Sequence, residues 1–75
     1  SKDFKLFPNP SNQFISISSD NESIINVNIT DITGKQVESI FQDFKSIDLS
    51  GLNSGIYFAQ IKTENGSTTK KFVKK

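Results

Sequence analysis

The sequence has neither cysteine nor histidine, and this absence removes most routes to chemistry. Without Cys, no disulfide can link the 75 residues, and without Cys or His there is no zinc-binding cluster. Ser and Thr are plentiful, but no thiolate or imidazole is present to act as a nucleophile or to activate a hydroxyl. We therefore expect no enzymatic activity, no metal site and no cofactor.

Other shortages restrict the partners. A net charge of +1 argues against a strong electrostatic field for nucleic acid. No apolar run approaches the roughly 20 residues that a membrane-spanning helix needs. One Tyr and no Trp provide little aromatic surface for stacking on sugars or bases. We expect a protein that neither binds nucleic acid nor spans a membrane.

The pattern that the chain does contain is alternation. Apolar residues recur at every second position, for example at Ile25, Val27 and Ile29, with polar residues between them. This period of two places the apolar set on one face of a β-strand. Seven strands are predicted, over Phe4–Phe7, Phe14–Ser18, Ile24–Ile32, Gln36–Ile40, Ser46–Leu49, Ile56–Thr63 and Thr68–Lys74. Their number and spacing predict an all-β, seven-stranded antiparallel immunoglobulin-like β-sandwich.

Residues with turn chemistry separate the predicted strands. Residues 8–12 contain two prolines, which lack a backbone N–H and exclude regular strand or helix. Glycine allows tight turns at 33–35 and at 53–55. Asn65-Gly66 is a typical type I′ hairpin turn. We find no linker, so residues 1–75 are interpreted as one domain.

The register of the last strand has two solutions. A two-residue turn at Asn65-Gly66 places Phe72 opposite Ala59 and Val73 opposite Phe58. A three-residue loop that includes Ser67 would place Val73 opposite Ala59 and move Phe72 to the other face. The two-residue turn is favoured.

Four of the last six residues are lysines: Lys70, Lys71, Lys74 and Lys75. Lysines on an edge strand prevent edge-to-edge aggregation, and this role alone is sufficient to explain why the four lysines are present. The alternative is a docking surface for an acidic partner or an anionic membrane.

Three stretches resemble a known family when they are taken together. They are FPNPSNQFISI at residues 7–17, VNITDITGKQV at 27–37, and the whole segment 47–75. Each is unspecific alone, but their order and spacing resemble the type A C-terminal sorting domain of type IX secretion cargo. The resemblance covers nearly the whole chain, and the family fold is the same seven-stranded sandwich.

The resemblance implies a non-catalytic secretion signal at the C-terminal end of a longer secreted protein, of which residues 1–75 are a fragment. The cargo crosses the inner membrane of a Gram-negative bacterium and folds in the periplasm. The sorting domain then directs it through the outer-membrane translocon, with the help of outer-membrane shuttle proteins. A cysteine-protease-like sortase usually removes the domain at a site near or before Ser1, and the product is secreted or attached to the cell surface. The alternative function is an accessory module for surface adhesion or carbohydrate binding.

The family motifs can be transferred residue by residue. Exposed loops and strand edges are the better candidates for partner contact, and an open edge can be recognised by strand addition. Phe14 and Phe58 lie off the predicted core face, where they fill a second layer or form a patch for the translocon. The candidates for partner recognition are Pro8, Asn9, Pro10, Lys70, Lys71, Phe72, Val73, Lys74 and Lys75. The residues interpreted as structural motifs are Asp31, Gly34, Lys35, Gly55 and Tyr57.

Overall fold

The computed structural model describes residues 4–8, 13–19 and 23–75. Asn9 and Pro10 therefore lie outside the described residues. The strands are β1 (Phe4–Phe7), β2 (Phe14–Ser19), β3 (Ile24–Asp31), β4 (Gln36–Ile40), β5 (Ile47–Asp48), β6 (Gly55–Thr63) and β7 (Gly66–Lys74). Within the described ranges, no helix has the length and apolarity needed to cross a membrane.

The seven strands form two antiparallel sheets, in the orders β1-β2-β5 and β4-β3-β6-β7. The prediction of an all-β, antiparallel, sandwich-like fold with seven strands is confirmed at this level. The physical cause is the alternation itself, because each strand offers one apolar face that must be buried against another layer. The sheets are joined along the chain wherever it passes from one layer to the other, after β2, β4 and β5.

The core lies between the two sheets and takes side chains from both. Alternation is clearest in β6, where Tyr57, Ala59 and Ile61 are buried and Gln60 and Lys62 are exposed. Fully burying one large apolar side chain is worth about 1.5–3 kcal/mol. The buried apolar residues are Phe4, Ile15, Ile17, Val27, Ile29, Ile47, Leu49, Tyr57, Ala59, Ile61 and Phe72.

The predicted register of the last strand is wrong by two residues. Phe72 lies opposite Tyr57, not Ala59, and Val73 lies opposite Ile56. The turn has two residues, as favoured, but they are Glu64 and Asn65, because the last pair of the hairpin is Thr63 with Gly66. Moving the turn by one place changes the partner of Phe72 but not its face, since both Tyr57 and Ala59 point into the core.

The side chain of Thr63 explains the position of this turn. Its hydroxyl accepts a hydrogen bond from the Asn65 backbone N–H at 3.2 Å and donates to the Gly66 carbonyl at 3.4 Å. The predicted type I′ turn is also wrong, because that type needs positive φ at both central residues and neither Glu64 nor Asn65 has it. Gly66 has the positive φ instead, at 135°, as the first residue of β7.

Several predicted strand ends differ by one or two residues. β3 ends at Asp31, because that residue begins the turn into β4. β5 is only Ile47–Asp48, since the Asp48 carboxylate starts the next turn. β2 extends to Ser19, while β6 begins at Gly55 and β7 begins at Gly66. These differences shorten or lengthen strands without changing which faces are buried.

Candidate recognition site

Segments from both sheets meet at one end of the sandwich, which we call the motif end. In the four-stranded sheet, Tyr57 is the register partner of both Asp31 and Phe72, and Gly55 is the partner of Lys74. The end of β3, the start of β6 and the C-terminus therefore lie side by side. In the other sheet, β1 ends and β2 begins at this end, where the Leu49 N–H donates to the Gln13 carbonyl at 2.7 Å. The motifs around Pro8, Asp31, Tyr57 and Phe72 are thus brought together by topology.

The turn between β3 and β4 is organised by one carboxylate. Asp31 Oδ1 accepts hydrogen bonds from the Thr33 N–H at 2.9 Å, the Thr33 hydroxyl at 2.6 Å and the Lys35 N–H at 3.1 Å. The Thr33 hydroxyl contributes most to holding the pKa of Asp31 below its ordinary value. The backbone closes the same turn, since the Gly34 N–H donates to the Asp31 carbonyl at 3.0 Å.

The three motif residues of this turn, Asp31, Gly34 and Lys35, therefore have different tasks. Asp31 bonds the turn, and Gly34 supplies its positive φ of 89°. Lys35 contributes its backbone N–H to the carboxylate, while its own side chain is exposed. The Lys35 side chain is exposed, while the Asp31 carboxylate is occupied by hydrogen bonds within the turn.

Tyr57 joins the loop after β5 to the core. Its hydroxyl donates to the Asn53 carbonyl at 2.7 Å, and its ring is 7% exposed. The loop that begins at Leu49 is therefore held against the start of β6. A cleft of about 430 Å³ lies between this loop and the β3–β4 turn, lined among others by Lys35, Asn53 and Tyr57.

A second carboxylate turn, which the sequence reasoning missed, begins the same loop. Asp48 Oδ1 accepts the Ser50 N–H at 2.8 Å. The Ser50 backbone N–H, followed by the Ser50 hydroxyl, lowers the pKa of Asp48. An Asp that bonds the backbone two residues further on is a known turn former, so the D-x-S spacing at the end of a short strand was the available signal.

The four terminal lysines do not form one patch. Alternation along β7 puts Lys70 and Lys74 on the same face as Phe72, which is 0% exposed, and puts Lys71 on the opposite face with Val73. Lys70 and Lys74 are partly buried, while Lys71 and Lys75 are exposed. On an edge strand, an inward-facing lysine can lay its stem along apolar surface and carry its ammonium group to water.

Phe14 and Phe58 lie on opposite outer faces of the sandwich and cannot share a patch. Phe14 is 50% exposed on the three-stranded sheet, where Phe7, the register partner of Ser16, is 48% exposed. Phe58 is partly buried on the four-stranded sheet, opposite Lys71 in β7. Neither extends the core.

Of the recognition candidates Pro8, Asn9 and Pro10, the structure describes only Pro8. Pro8 is exposed and follows a cis peptide bond from Phe7. Asn9 and Pro10 lie outside the described residues.

Comparison with known proteins identifies one family. The model of the secretion system C-terminal sorting domain matches residues 5–75, which include both sheets and every segment of the motif end. No curated protein matches the chain.

Proposed function

We propose, on the premise that this chain belongs to the C-terminal sorting domains of type IX secretion, that it is recognised as a folded unit through its motif end. Its role is that of a non-catalytic sorting signal for type IX secretion. The family implies a cargo chain and secretion through the outer membrane, to the medium or to the cell surface.

We propose the host, the partners and the lack of catalysis on the basis of family membership. Residues 1–75 act as the C-terminal domain of a longer secreted protein of a Gram-negative bacterium. Their partners are the translocon, outer-membrane shuttle proteins and a sortase that removes the domain after export. The chain performs no reaction itself, in keeping with a family that is non-catalytic in general.

One observation carries the proposal of a folded signal. Phe72, two residues before the end of β7, is 0% exposed and stacks on Tyr57, with 5.8 Å between the ring centroids. A receptor that drew the last strand out as a free tail would have to empty this position, and removing a buried Phe costs about 3–5 kcal/mol. A receptor that binds β7 while Phe72 stays in the core does not incur this free-energy cost.

The proposed contacts are the exposed groups around this buried residue. Lys71 and Lys75 are exposed, and Lys70 and Lys74 flank Phe72 at the sheet edge. Pro8, which directly follows β1 at the same end, is a further proposed contact, and so are Asn9 and Pro10, which follow it in the sequence. Phe72 and Val73 contribute to recognition indirectly, because their packing in β7 fixes the positions of the neighbouring lysines.

We also propose that the sandwich is immunoglobulin-like. With the strands lettered A to G in chain order, one sheet is A-B-E, and the other contains C-F-G with the fourth strand beside C. In variable-type domains an additional strand has that position. The Tyr57 hydroxyl bonds backbone upstream of the start of its strand, at Asn53, as in the tyrosine corner of these domains.

The sorting role is tested with a fusion of residues 1–75 to a fluorescent protein that carries a signal peptide, in a host that has the pathway. We expect fluorescence in the medium or at the cell surface, and retention in the periplasm without the domain. A folded fusion that stays in the periplasm would contradict the proposal.

The contacts are tested with point variants, because deleting residues 70–75 would also remove buried Phe72. Lys71→Gln with Lys75→Gln removes exposed charge at the motif end, and we expect reduced export. Lys45→Gln with Lys62→Gln removes the same charge from exposed positions elsewhere and should leave export unchanged. Equal export by both pairs would exclude Lys71 and Lys75 from recognition.

A further inference from the structure

We propose that the open edge of β7 accepts an added β-strand whose side chains carry carboxylates. This inference deepens the proposed function, on which it rests, by giving the chemistry and geometry of the segment that a partner presents. Its basis is the contrast between β7 and the other edges, together with the placement of the lysines.

Among the described strands, β7 is the one long and regular edge. It pairs with β6 over nine consecutive positions without a shift in register. The opposite edge of the same sheet, β4, has five residues and a register shift opposite Ile29/Thr30. In the other sheet, β1 has four residues and β5 has two. Short or bulged edges resist pairing with another strand, whereas a long regular edge is a template for it.

The backbone groups available on this edge follow from the hairpin. In a two-residue turn, the Gly66 N–H points to the Thr63 carbonyl and so toward β6. The backbone N–H and C=O groups of successive residues in an antiparallel strand point alternately toward and away from the neighbouring strand. Those of Ser67, Thr69 and Lys71 therefore point away from β6. They form an unbroken row that can donate to and accept from an added strand.

Charge determines which strand can use this row. β7 carries Lys70, Lys71 and Lys74 and no acidic residue. A second copy of β7 would bring like charges together, which is unfavourable across a pair of strands. A strand with carboxylates would instead place opposite charges beside the lysines. The same three side chains therefore disfavour self-pairing and favour an acidic partner, which is how specificity arises as a difference of affinities.

The spacing of the lysines predicts a pattern in the added strand. Lys70 and Lys74 lie on one face with Phe72 between them. The matching face of the partner reads acid, then apolar two residues later, then acid two residues after that. This pattern is the same in either strand direction, so it does not depend on whether the added strand is parallel or antiparallel.

The inference is tested by NMR titration of the ¹⁵N-labelled chain with the peptide acetyl-Thr-Glu-Thr-Val-Thr-Glu-Thr-amide at up to millimolar concentration. We expect the amides of Ser67, Thr69 and Lys71 to shift and to exchange more slowly with solvent, while those of β1 and β4 do not. The same peptide with Gln in place of both Glu should bind more weakly, and salt should weaken the acidic peptide selectively. Lys70→Gln with Lys74→Gln removes the charges that face the glutamates and should reduce the affinity for the acidic peptide roughly two- to fivefold. Lys45→Gln with Lys62→Gln removes the same charge elsewhere and is the unchanged control.

Thr69→Pro separates strand addition from simple charge attraction. The backbone N–H of Thr69 points away from β6, so a proline at this position breaks no hydrogen bond to β6. It does remove the N–H that an added strand would need. We expect this variant to lose peptide binding while it keeps a dispersed NMR spectrum. Undiminished binding by folded Thr69→Pro, equal binding of the Gln peptide, or shifts that map away from β7 would each overturn the inference. If Thr69→Pro does not fold, equal affinity of the Lys70→Gln/Lys74→Gln and Lys45→Gln/Lys62→Gln variants for the acidic peptide would overturn the inference.

Export distinguishes this inference from the proposed function. Absence of peptide binding with normal export of the fusion would overturn strand addition and leave the sorting role. Failure of the folded fusion to be exported would overturn the sorting role, whatever the peptide does.

Discussion

Phe72 stacks on Tyr57 across the β6–β7 hairpin, with ring centroids 5.8 Å apart and ring planes inclined by 25°. The pair joins two motifs that are separated in sequence, one at the start of β6 and one near the end of β7. Because Phe72 is 0% exposed and Tyr57 is 7% exposed, the C-terminal strand is part of the core of the domain. A truncation that removes Phe72 should therefore destabilise the fold.

Phe72→Ala should lower the free energy of unfolding by about 3–5 kcal/mol, because it empties a buried position. Urea denaturation followed by circular dichroism measures the change. Phe14→Ala is the matched control, since Phe14 is 50% exposed and its loss should cost much less. Equal destabilisation by the two variants would show that the last strand does not pack as described.

Tyr57→Phe should cost about 0.5–1.5 kcal/mol of stability, because it removes the hydrogen bond from the Tyr57 hydroxyl to the Asn53 carbonyl. The ring stays, so the stacking with Phe72 is kept. Amide exchange should accelerate in the loop at 49–54 more than in β3. A uniform acceleration over both sheets would indicate that the hydroxyl does not act locally on the loop.

Gly34→Ala should destabilise the domain by about 1–2 kcal/mol, because Gly34 has a φ of 89° that an L-residue adopts only with strain. Gly51→Ala is the control. An added Cβ at Gly51 meets nothing within 4 Å, and no positive φ is required there. Thermal unfolding of both variants measures the difference, and a neutral Gly34→Ala would show that the β3–β4 turn can rearrange.

Stability should fall as the pH is lowered below about 4, the ordinary range of an aspartate pKa. The pKa values of Asp31 and Asp48 are lowered in the folded state, chiefly by the Thr33 hydroxyl and by the Ser50 N–H respectively. A carboxylate with a lowered folded pKa stabilises the fold above its unfolded pKa, and this contribution is lost as pH falls through the folded value. Thermal unfolding from pH 6 to pH 2 measures the effect. The slope should be shallower in Asp31→Asn with Asp48→Asn, and an unchanged slope would assign the acid sensitivity to other groups.

Replacing the three lysines of β7 with Thr should promote concentration-dependent self-association, because it removes the like charges from the long open edge. Sedimentation velocity over a range of protein concentrations measures this. A control with the same net charge replaces three exposed lysines elsewhere, namely Lys5, Lys45 and Lys62. Association of both triple variants would attribute the effect to net charge rather than to the edge.

The existence of the strands could be predicted from local pattern. Alternation at Val27 and Ile29 and at Tyr57, Ala59 and Ile61 requires one buried face whatever the partner strand is. The prediction that Ile25 shares this face is wrong, because the register of β3 against β6 shifts between Ile24 and Asn26 and leaves Ile25 45% exposed. The position of Gly34 in a turn was equally accessible, because an Asp three residues before a Gly is a local signal. The bonding by the Asp48 carboxylate was missed, although its signal is also local.

The register of β7 could not be predicted in the same way. The Asn65-Gly66 pair is a strong turn signal, yet the turn lies one residue earlier, at Glu64-Asn65. Hydrogen bonds of the Thr63 hydroxyl to the Asn65 N–H and to the Gly66 carbonyl stabilise it there. The choice is reinforced by packing, because this register stacks Phe72 on Tyr57. Both effects depend on contacts across the hairpin that no single stretch of sequence contains.

Local residue order was thus enough for most of the strand faces and for the turn at Gly34. The meeting of Pro8, Asp31, Tyr57 and Phe72 at one end required the sheets, because strand order joins residues that are far apart in the chain. The same holds for the lysines. Sequence places four of them together, but pairing with β6 sends Lys70 and Lys74 to one face and Lys71 to the other, and strand order leaves their edge open. Long-range hydrogen bonding between strands decides both outcomes, and it is a property of the assembled sheet.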